Sequence, residues 1–511
     1  MKIKFIVVFI IYLTVDILIG CNGIDNYSVS PGHHLSFSTD TVSFDTVFTS
    51  IGSSTYGFMV YNNNSEDLNI QEIRLAGEET SGFRLNVDGR AGEIFNNIPI
   101  WRKDSLYVLV EVTVNPNGEN QPFVIYDSVI FTTNGIRQAV LLEVYGQNAH
   151  ILRGTTVFDK DTTLVADRPY LIYDSVKIAE NVTVNIEKGV SFYMHNNAKW
   201  IIEGTIKTHG VREKPVVFRG DRLGAFNYVT TYDKIWAQWD GIFFGSASFN
   251  NEMTYTMIRN GISGLTFKES TPERKKLTLD DCVITNMGAN GLYAVNCHIE
   301  AVNTELSNAG VYLLMLAGGK HRFIHCTVTN YMPSVSGNAM RMCPTLTLSD
   351  NLKFLSEDSE DDRKFPLLQA FFDNCIIDGG NSSTGNNTFF EGEIQFFSAG
   401  EIKDLYGNDD NFNYRFNHCF IKIKNVTGSR FINCLFEKSP TYVKSEATNE
   451  NDESDFVFDY HLDSASLVIG RADPLISELY PVDMDGVNRL RSPSGPSIGA
   501  YEFVEQKSSK R

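Results

Sequence analysis

Between residues 281 and 330 the apolar and polar positions recur as a block. Asp281-Cys282-Val283-Ile284-Thr285-Asn286 returns, loosened, as Asn303-Thr304-Glu305-Leu306-Ser307-Asn308 and as His325-Cys326-Thr327-Val328-Thr329-Asn330, with starts spaced 22 residues apart. A fixed period of this size, filled with short alternating strands and Asn or Gly turns, predicts coils that stack on copies of themselves. The same texture opens near Gly154 and runs through Val182–Val190, Trp200–Ile206, Lys214–Phe218, Trp239–Phe244 and Tyr255–Gly261. Cys282 and Cys297, like Cys419 and Cys434, lie 15 residues apart, two thirds of a period, which predicts three faces per coil. The expectation is a right-handed parallel β-helix over residues 151–503, of about ten to twelve coils and some 50–60 Å long at the inter-strand spacing.

Ahead of it the pattern differs. Alternating runs at Val42–Phe48, Tyr56–Tyr61, Leu68–Leu75, Phe83–Val87, Ser105–Val114, Ile125–Phe131 and Ala139–Tyr145 are separated by Asn/Gly/Pro turns such as Asn115-Pro116-Asn117-Gly118. That spacing predicts an antiparallel β-sandwich over residues 36–150, so the fold class is all-β, a sandwich followed by a solenoid. The coil pattern breaks near 333–364 and 445–455, where acidic runs read as solvated insertions. Residues 504–511 read as a disordered tail.

Net charge is −18, from 62 acidic and 44 basic residues. A chain so acidic lacks the basic face that a phosphate backbone needs, which sets nucleic acid aside as a partner.

The first residues carry the most specific short signal. A basic start at Lys2 and Lys4, an apolar run from Phe5 to Tyr12 and Leu18-Ile19-Gly20-Cys21 resemble a bacterial lipoprotein signal peptide with its lipobox, although Asp16 interrupts the apolar region. The resemblance implies that residues 1–20 are removed and that Cys21 carries the lipid, giving an outer-membrane anchor on the periplasmic or cell-surface side. Residues 21–35, polar and with Pro31-Gly32, then read as a tether. The Phe44–Phe48 and Asp104–Val108 stretches resemble the Ig-like domains that precede β-helices in Bacteroidetes surface lipoproteins. The closing stretches Asp483–Arg489 and Gly495–Glu502 resemble the end segments of the same group, and imply a cover for the open end of the solenoid.

Cys282, Cys297, Cys326, Cys375, Cys419 and Cys434 each follow Asp, Asn or His and share a face with an apolar residue two positions on, which places them inward as small hydrophobes rather than in a disulfide framework. His325 and His418, with Asp281, Asn296, Asn374 and Asn433, are then expected to form an outward polar ladder, a better account of the histidines, His298 and His321 included, than a metal site. Gly495-Pro496-Ser497-Ile498-Gly499 matches the nucleophile-elbow letters, but no histidine follows Ser497, the last being His461. A polysaccharide lyase or glycoside hydrolase acting on acidic glycans would draw on Asp280 and Asp281 with Arg259 or Lys276, with Ca2+ required only in the lyase case. No motif fixes that set, and no other cofactor or metal is expected. The alternative is a surface binding or scaffolding module whose partner is a polysaccharide or an envelope protein, since stacked Asn, Asp, Tyr and Trp suit sugar rings.

Seven Asp-Ser/Thr triplets resemble the O-glycosylation sites of exported Bacteroidetes proteins. They would put sugars on Thr41, Thr46, Ser105, Ser128, Thr162, Ser175 and Ser464.

Overall fold

The structure, a computed structural model, describes residues 27–77, 81–224, 231–332, 343–352, 363–380, 392–398, 412–445 and 458–505. The leader, Cys21, most of both acidic stretches and residues 506–511 lie outside these. The chain divides between Asn148 and Ala149 into two units.

The first unit is built from β1 (Ser36–Phe37), β2 (Thr41–Phe48), β3 (Tyr56–Tyr61), β4 (Leu68–Leu75), β5 (Phe83–Val87), β6 (Arg90–Gly92), β7 (Ile94–Ile100), β8 (Ser105–Val112), β9 (Phe123–Thr133) and β10 (Ile136–Gln147). They form two five-stranded sheets, β1-β3-β8-β5-β6 and β2-β10-β9-β4-β7. Alternation drives Phe44, Phe58, Val60, Ile70, Val108, Val110, Phe131 and Leu142 to one side of their strands, where they form a fully buried core. The arrangement departs from the expected antiparallel order at one pair, since β2 runs parallel to β10 with Phe44 opposite Val144. β7 escapes the alternation rule because Asn96, Asn97 and Pro99 interrupt it; the proline is tolerated because β7 lies at a sheet edge. The expected tether is partly docked. Leu35 is buried, its backbone exchanges two hydrogen bonds with the Gln138 amide (3.0 and 2.9 Å), and Ser28 N donates to Asp67 O.

The second unit is a parallel β solenoid. An eleven-stranded sheet and a 17-stranded sheet, the latter made of two interleaved strand series, supply the three faces expected of each coil. Inward residues stack in unbroken register along the eleven-stranded face: Phe192, Phe218, Ile258, Ile284, Leu306, Val328, Ile377, Ile421 and Phe436. On another face Phe323, Phe372, Phe416 and Phe431 stack ring on ring at 5.0, 5.0 and 5.4 Å. Five of the six patterned cysteines are buried, Cys434 is half-buried, and no disulfide joins any of the described cysteines.

The six-residue repeat has a backbone cause. Both ends of the first two copies turn corners in the left-handed region, Asp281 (φ 53°) and Asn286 (58°), Asn303 (45°) and Asn308 (55°), and His325 (49°), Asn374 (55°), His418 (48°) and Asn433 (51°) continue the first corner alone. Asp, Asn and His are the non-glycine residues that best tolerate that conformation. Within the expected insertion at 333–364, Leu346–Ser349 forms a rung between Leu314–Ala317 and Ile394–Phe397, burying Leu346 and Leu348.

The closing segment corrects two expectations. Its residues pack along the side of the coils: Arg489 Nη2 donates to Asn303 Oδ1 (3.0 Å), Ala500 N to Thr327 Oγ1 (2.9 Å), and Gly499 N to Asn374 O (2.9 Å). Gly499 is required there because a Cβ would come within 2.8 Å of both Ile376 and Thr327. The polar ladder is therefore not a uniformly solvated one. His325 and Asn374 are fully buried, with His325 Nε2 3.0 Å from Ser477 Oγ and Asp473 N donating to Asn374 Oδ1 at 2.7 Å, because the short helix Pro474–Leu479 and its preceding cap cover this corner. His418, held between Asn417 and Asn433, keeps partial exposure. His321 is buried inside its strand and bonded to Gly318 O, and the left-handed turn at His325 removes it from the face that strict alternation would assign.

Phe372→Ala would open a gap in the middle of the phenylalanine stack. It should cost about 3–5 kcal/mol, read as a shift in the denaturation midpoint of the solenoid.

Candidate functional site

On the eleven-stranded face the outward residues form two rows. One contains Val283, Glu305, Thr327, Ile376, Phe420 and Leu435; the other contains Tyr193, Arg219, Arg259, Thr285, Ser307, Thr329 and Asp378. The closing segment lies over the later coils and touches an earlier one where Arg212 Nη1 donates to Asp485 O, but it leaves the second row uncovered at Arg259 and Thr285. Where it stops, a cleft of about 330 Å³ opens, floored by Arg259, Thr285, Ser307 and Glu305. One wall is the Thr231–Lys234 stretch; the other is Phe458 and Tyr460, whose rings stack at 6.0 Å.

Corner asparagines build the cleft. Asn260 Nδ2 donates to Asp233 O (2.8 Å) and Ile235 O (2.6 Å), and Asn286 Nδ2 donates to Lys234 O (3.2 Å), which fixes the first wall. Asn308 Oδ1 accepts from Tyr460 Oη (2.8 Å) and fixes the second. Arg219 and Arg259 both pair with Asp233, the latter at 3.4 Å. Burial, and then the neighbouring Arg219 charge, lower the Arg259 pKa. Glu305 accepts from Ser307 Oγ (2.6 Å) and from Tyr501 Oη, and burial holds its carboxyl above the usual carboxylate range.

Of the sequence candidates, only Arg259 lines this cleft. Asp280 and Asp281 sit at the opposite corner of the coil, five and four residues before Thr285, the strand partner of Arg259. Burial, then Asp280, pushes the Asp281 carboxyl up to about 6, while hydrogen bonds from Asn303 and Tyr255 oppose the shift. Lys276 is fully buried at the far end of the strand that leads to Asp280; its Nζ donates to Gly245 O at 2.5 Å and burial pushes it down to about 8. It holds a turn and cannot meet a substrate from there. Ser497 is buried and its hydroxyl faces Glu502. Among the triplets, Asp45, Asp104 and Asp127 each accept the backbone N–H of the next residue at 2.7–2.8 Å, a local turn, and Ser464 is the exposed member of the set while Thr41, Thr46, Ser105, Ser128, Thr162 and Ser175 are half-buried.

Sequence reading missed Arg219, Asp233, Phe458 and Tyr460. A signal for Arg219 existed: aligning Val216-Val217-Phe218-Arg219 with Thr256-Met257-Ile258-Arg259 stacks the two arginines. Nothing local marks Phe458 and Tyr460, which arrive from two hundred residues beyond Arg259. A larger hollow of about 740 Å³ lies in the sandwich unit beside Arg74, Phe83, Arg84 and Ile94. Its cations are committed, Arg74 to Glu72 and Arg84 to Thr113 and Glu111, so the solenoid cleft, where polar groups converge, is the better candidate.

No protein-family model matches the chain, and no curated protein matches it. Among solved structures, a family 123 glycoside hydrolase from Clostridium perfringens aligns with 23% of this chain and 30% of its own length at 8% identity and a TM-score of 0.17. The catalytic domain of a GH87 α-1,3-glucanase in complex with tetrasaccharides aligns with 76% of this chain and 88% of its own at 10% identity and a TM-score of 0.18. The periplasmic chaperone SfaE aligns with 22% of this chain and 58% of its own at 11% identity and a TM-score of 0.16. Scores this low carry no argument about fold or function. The fold and the cleft define an all-β protein whose parallel solenoid bears a polar lateral cleft.

The closing segment carries an ionic lock. His461 lies between Asp459 (Nδ1, 2.5 Å) and Asp485 (Nε2, 2.7 Å) and stacks on Tyr501 at 4.0 Å. The Asp485 hydrogen bond, and less so Asp459, outweigh burial and push its pKa up to about 9. A raised histidine stabilises the folded state fully below its unfolded value near 6.5 and loses that contribution as pH rises through about 9. Amide-exchange protection of residues 458–505 should therefore fall between pH 7 and 9.5 relative to the inner rungs, and His461→Gln should make it low at both.

Proposed function

We propose that this protein is a lipid-anchored envelope protein of the right-handed β-helix type that binds polysaccharide in the cleft between the Thr231–Lys234 wall and Phe458. The observation that carries this reading is the cleft itself: fixed hydroxyls and amides along its floor and corners, charged groups at one end and an aromatic wall at the other. Sugar rings present the matching combination, hydroxyls that bond in the ring plane and C–H faces that pack on aromatic rings. Cleavage is the weaker reading, since Asp280, Asp281, Arg259 and Lys276 do not converge, and both carboxyls that line the cleft are already engaged, Glu305 by Ser307 and Tyr501 and Asp233 by Arg219 and Arg259.

Electrophoresis of the full chain through native gels cast with individual plant, host and bacterial polysaccharides should show retardation by at least one of them. Phe458→Ala, which removes the half-exposed ring of the wall, should weaken that binding by about 0.5–1.5 kcal/mol, a two- to tenfold change. Unchanged mobility in every gel would sink the reading.

The anchor has its own test. In a bacterial host with lipoprotein processing, metabolic labelling with a fatty acid should mark the wild-type chain, and Cys21→Ser should abolish the label and release the protein from membranes. A labelled Cys21→Ser chain would move the anchor elsewhere.

A further inference from the structure

Arg219 and Arg259 lie on consecutive coils of one outward row, because Phe218 stacks on Ile258. Strands so paired are about 4.8 Å apart. Both guanidinium groups turn to a single carboxylate, that of Asp233, which is itself exposed. Two partly desolvated like charges beside one another are costly unless something offsets them. Asp233 offsets one of the two.

The pair is not needed to hold the wall. Asn260 already binds Asp233 O and Ile235 O, Gln238 Nε2 binds Tyr232 O (2.6 Å) and Ile235 O (2.7 Å), and Asn286 binds Lys234 O. Four carbonyls of a short stretch are thus secured by amides, with no charge involved. The Nε of Arg259, meanwhile, is buried and has no hydrogen-bond partner among the described residues. That buried Nε faces no solvent, but a quarter of the Arg259 side-chain surface stays exposed and its bond to Asp233 is long at 3.4 Å, so the outer Nη edge of the guanidinium at the cleft can take an anion that arrives from outside.

We propose that Arg219 and Arg259 form a subsite for an anionic substituent, carboxylate or sulfate, on the bound polysaccharide. The planar fork of each arginine matches the paired oxygens of either group, and Thr285, next in the row and half-exposed, offers a hydroxyl toward the neighbouring unit. The cleft would then read one anionic unit at its basic end and neutral ring surface along its aromatic end. This assignment rests on the carbohydrate reading above, and its test separates the two.

The full chain is titrated with matched polymers: polygalacturonate against its carboxyl-reduced form, and chondroitin sulfate against chondroitin with the sulfates removed and against its carboxyl-reduced form. The wild type should prefer an anionic member over its neutralised partner by about tenfold or more, and the pair that shows the preference identifies carboxylate or sulfate. Arg219→Gln with Arg259→Gln should collapse that preference, bringing the affinity for the anionic polymer down to that for its neutralised partner. Arg259→Lys, which keeps the charge and loses the fork, should retain a reduced preference and guards against misfolding in the double variant, as does an unchanged melting curve. Equal affinity for charged and neutralised polymers, or a preference that survives in the folded double glutamine variant, would overturn the subsite and leave the carbohydrate reading intact. No binding to any polymer, charged or neutralised, would overturn both.

Discussion

A stacked coil must turn its corners without losing register with the coil beneath, and the rest of this molecule depends on how it does so. Where the short strands on the eleven-stranded face begin, from Val283 onward, and also where the Val283 and Glu305 strands end, one residue adopts the left-handed conformation, and at those points the sequence carries Asp281, Asn286, Asn303, Asn308, His325 and Asn374. A residue in that region costs free energy unless it is glycine or a small polar residue whose side chain can bond locally. Asn and Asp meet the requirement and still leave polar groups free to reach a neighbouring segment. The turn therefore sets the period, fixes which residues face inward, and supplies the hydrogen-bonding handles by which outer segments attach.

Those handles explain why the side of the solenoid is not uniform. Asn303, Asn308 and Asn374 bind the closing segment, while Asn260 and Asn286 bind the Thr231–Lys234 stretch. The corner residues that make the coil possible also decide what covers it. His325 shows the extreme case: a ladder position that the repeat places outside the coil becomes fully buried because a distant helix lies on it. Burial there holds the imidazole well below its ordinary value and keeps it neutral, so it serves as a hydrogen-bonding spacer.

The solenoid was legible in the chain because its determinants are local and repeated: alternation gives the inward row, and the spacing of Asn and Asp gives the corners. The inward placement of Cys282, Cys326 and Cys375 follows from the same rule. What alternation cannot express is which outward positions become covered. Glu305 and Thr327 look like solvent residues by pattern, yet Tyr501 and Ala500 bury them from nearly two hundred residues away. The missed strand β7 has a different cause, since its Asn96-Asn97 and Pro99 satisfy an edge rather than a pattern. For the candidate site, Arg259 was visible as a charge on a strand, but its partner Arg219 requires knowing the register between coils, and Phe458 and Tyr460 require knowing where the chain returns.

The return of the chain is also what makes a cleft out of a flat face. On an uncovered solenoid the two outward rows would offer a long surface with no preferred point of attachment. The closing segment covers Glu305, Thr327 and Ile376 in one row and packs Tyr442 and Tyr331 around Asp378 in the other, leaving Arg259 and Thr285 open at its margin with Arg219 behind them, paired to Asp233. A protein of net charge −18 then presents a short cationic spot beside an aromatic wall. With a Debye length near 8 Å at physiological ionic strength, the distant acidic surface is screened and contact at the spot is governed by the groups within it. The segment docks through the polar corners and through an apolar cluster on Ile376 and Phe420 that includes Tyr460 itself, so cleft shape and segment stability are coupled: whatever loosens the His461 lock also loosens the wall that Phe458 and Tyr460 provide.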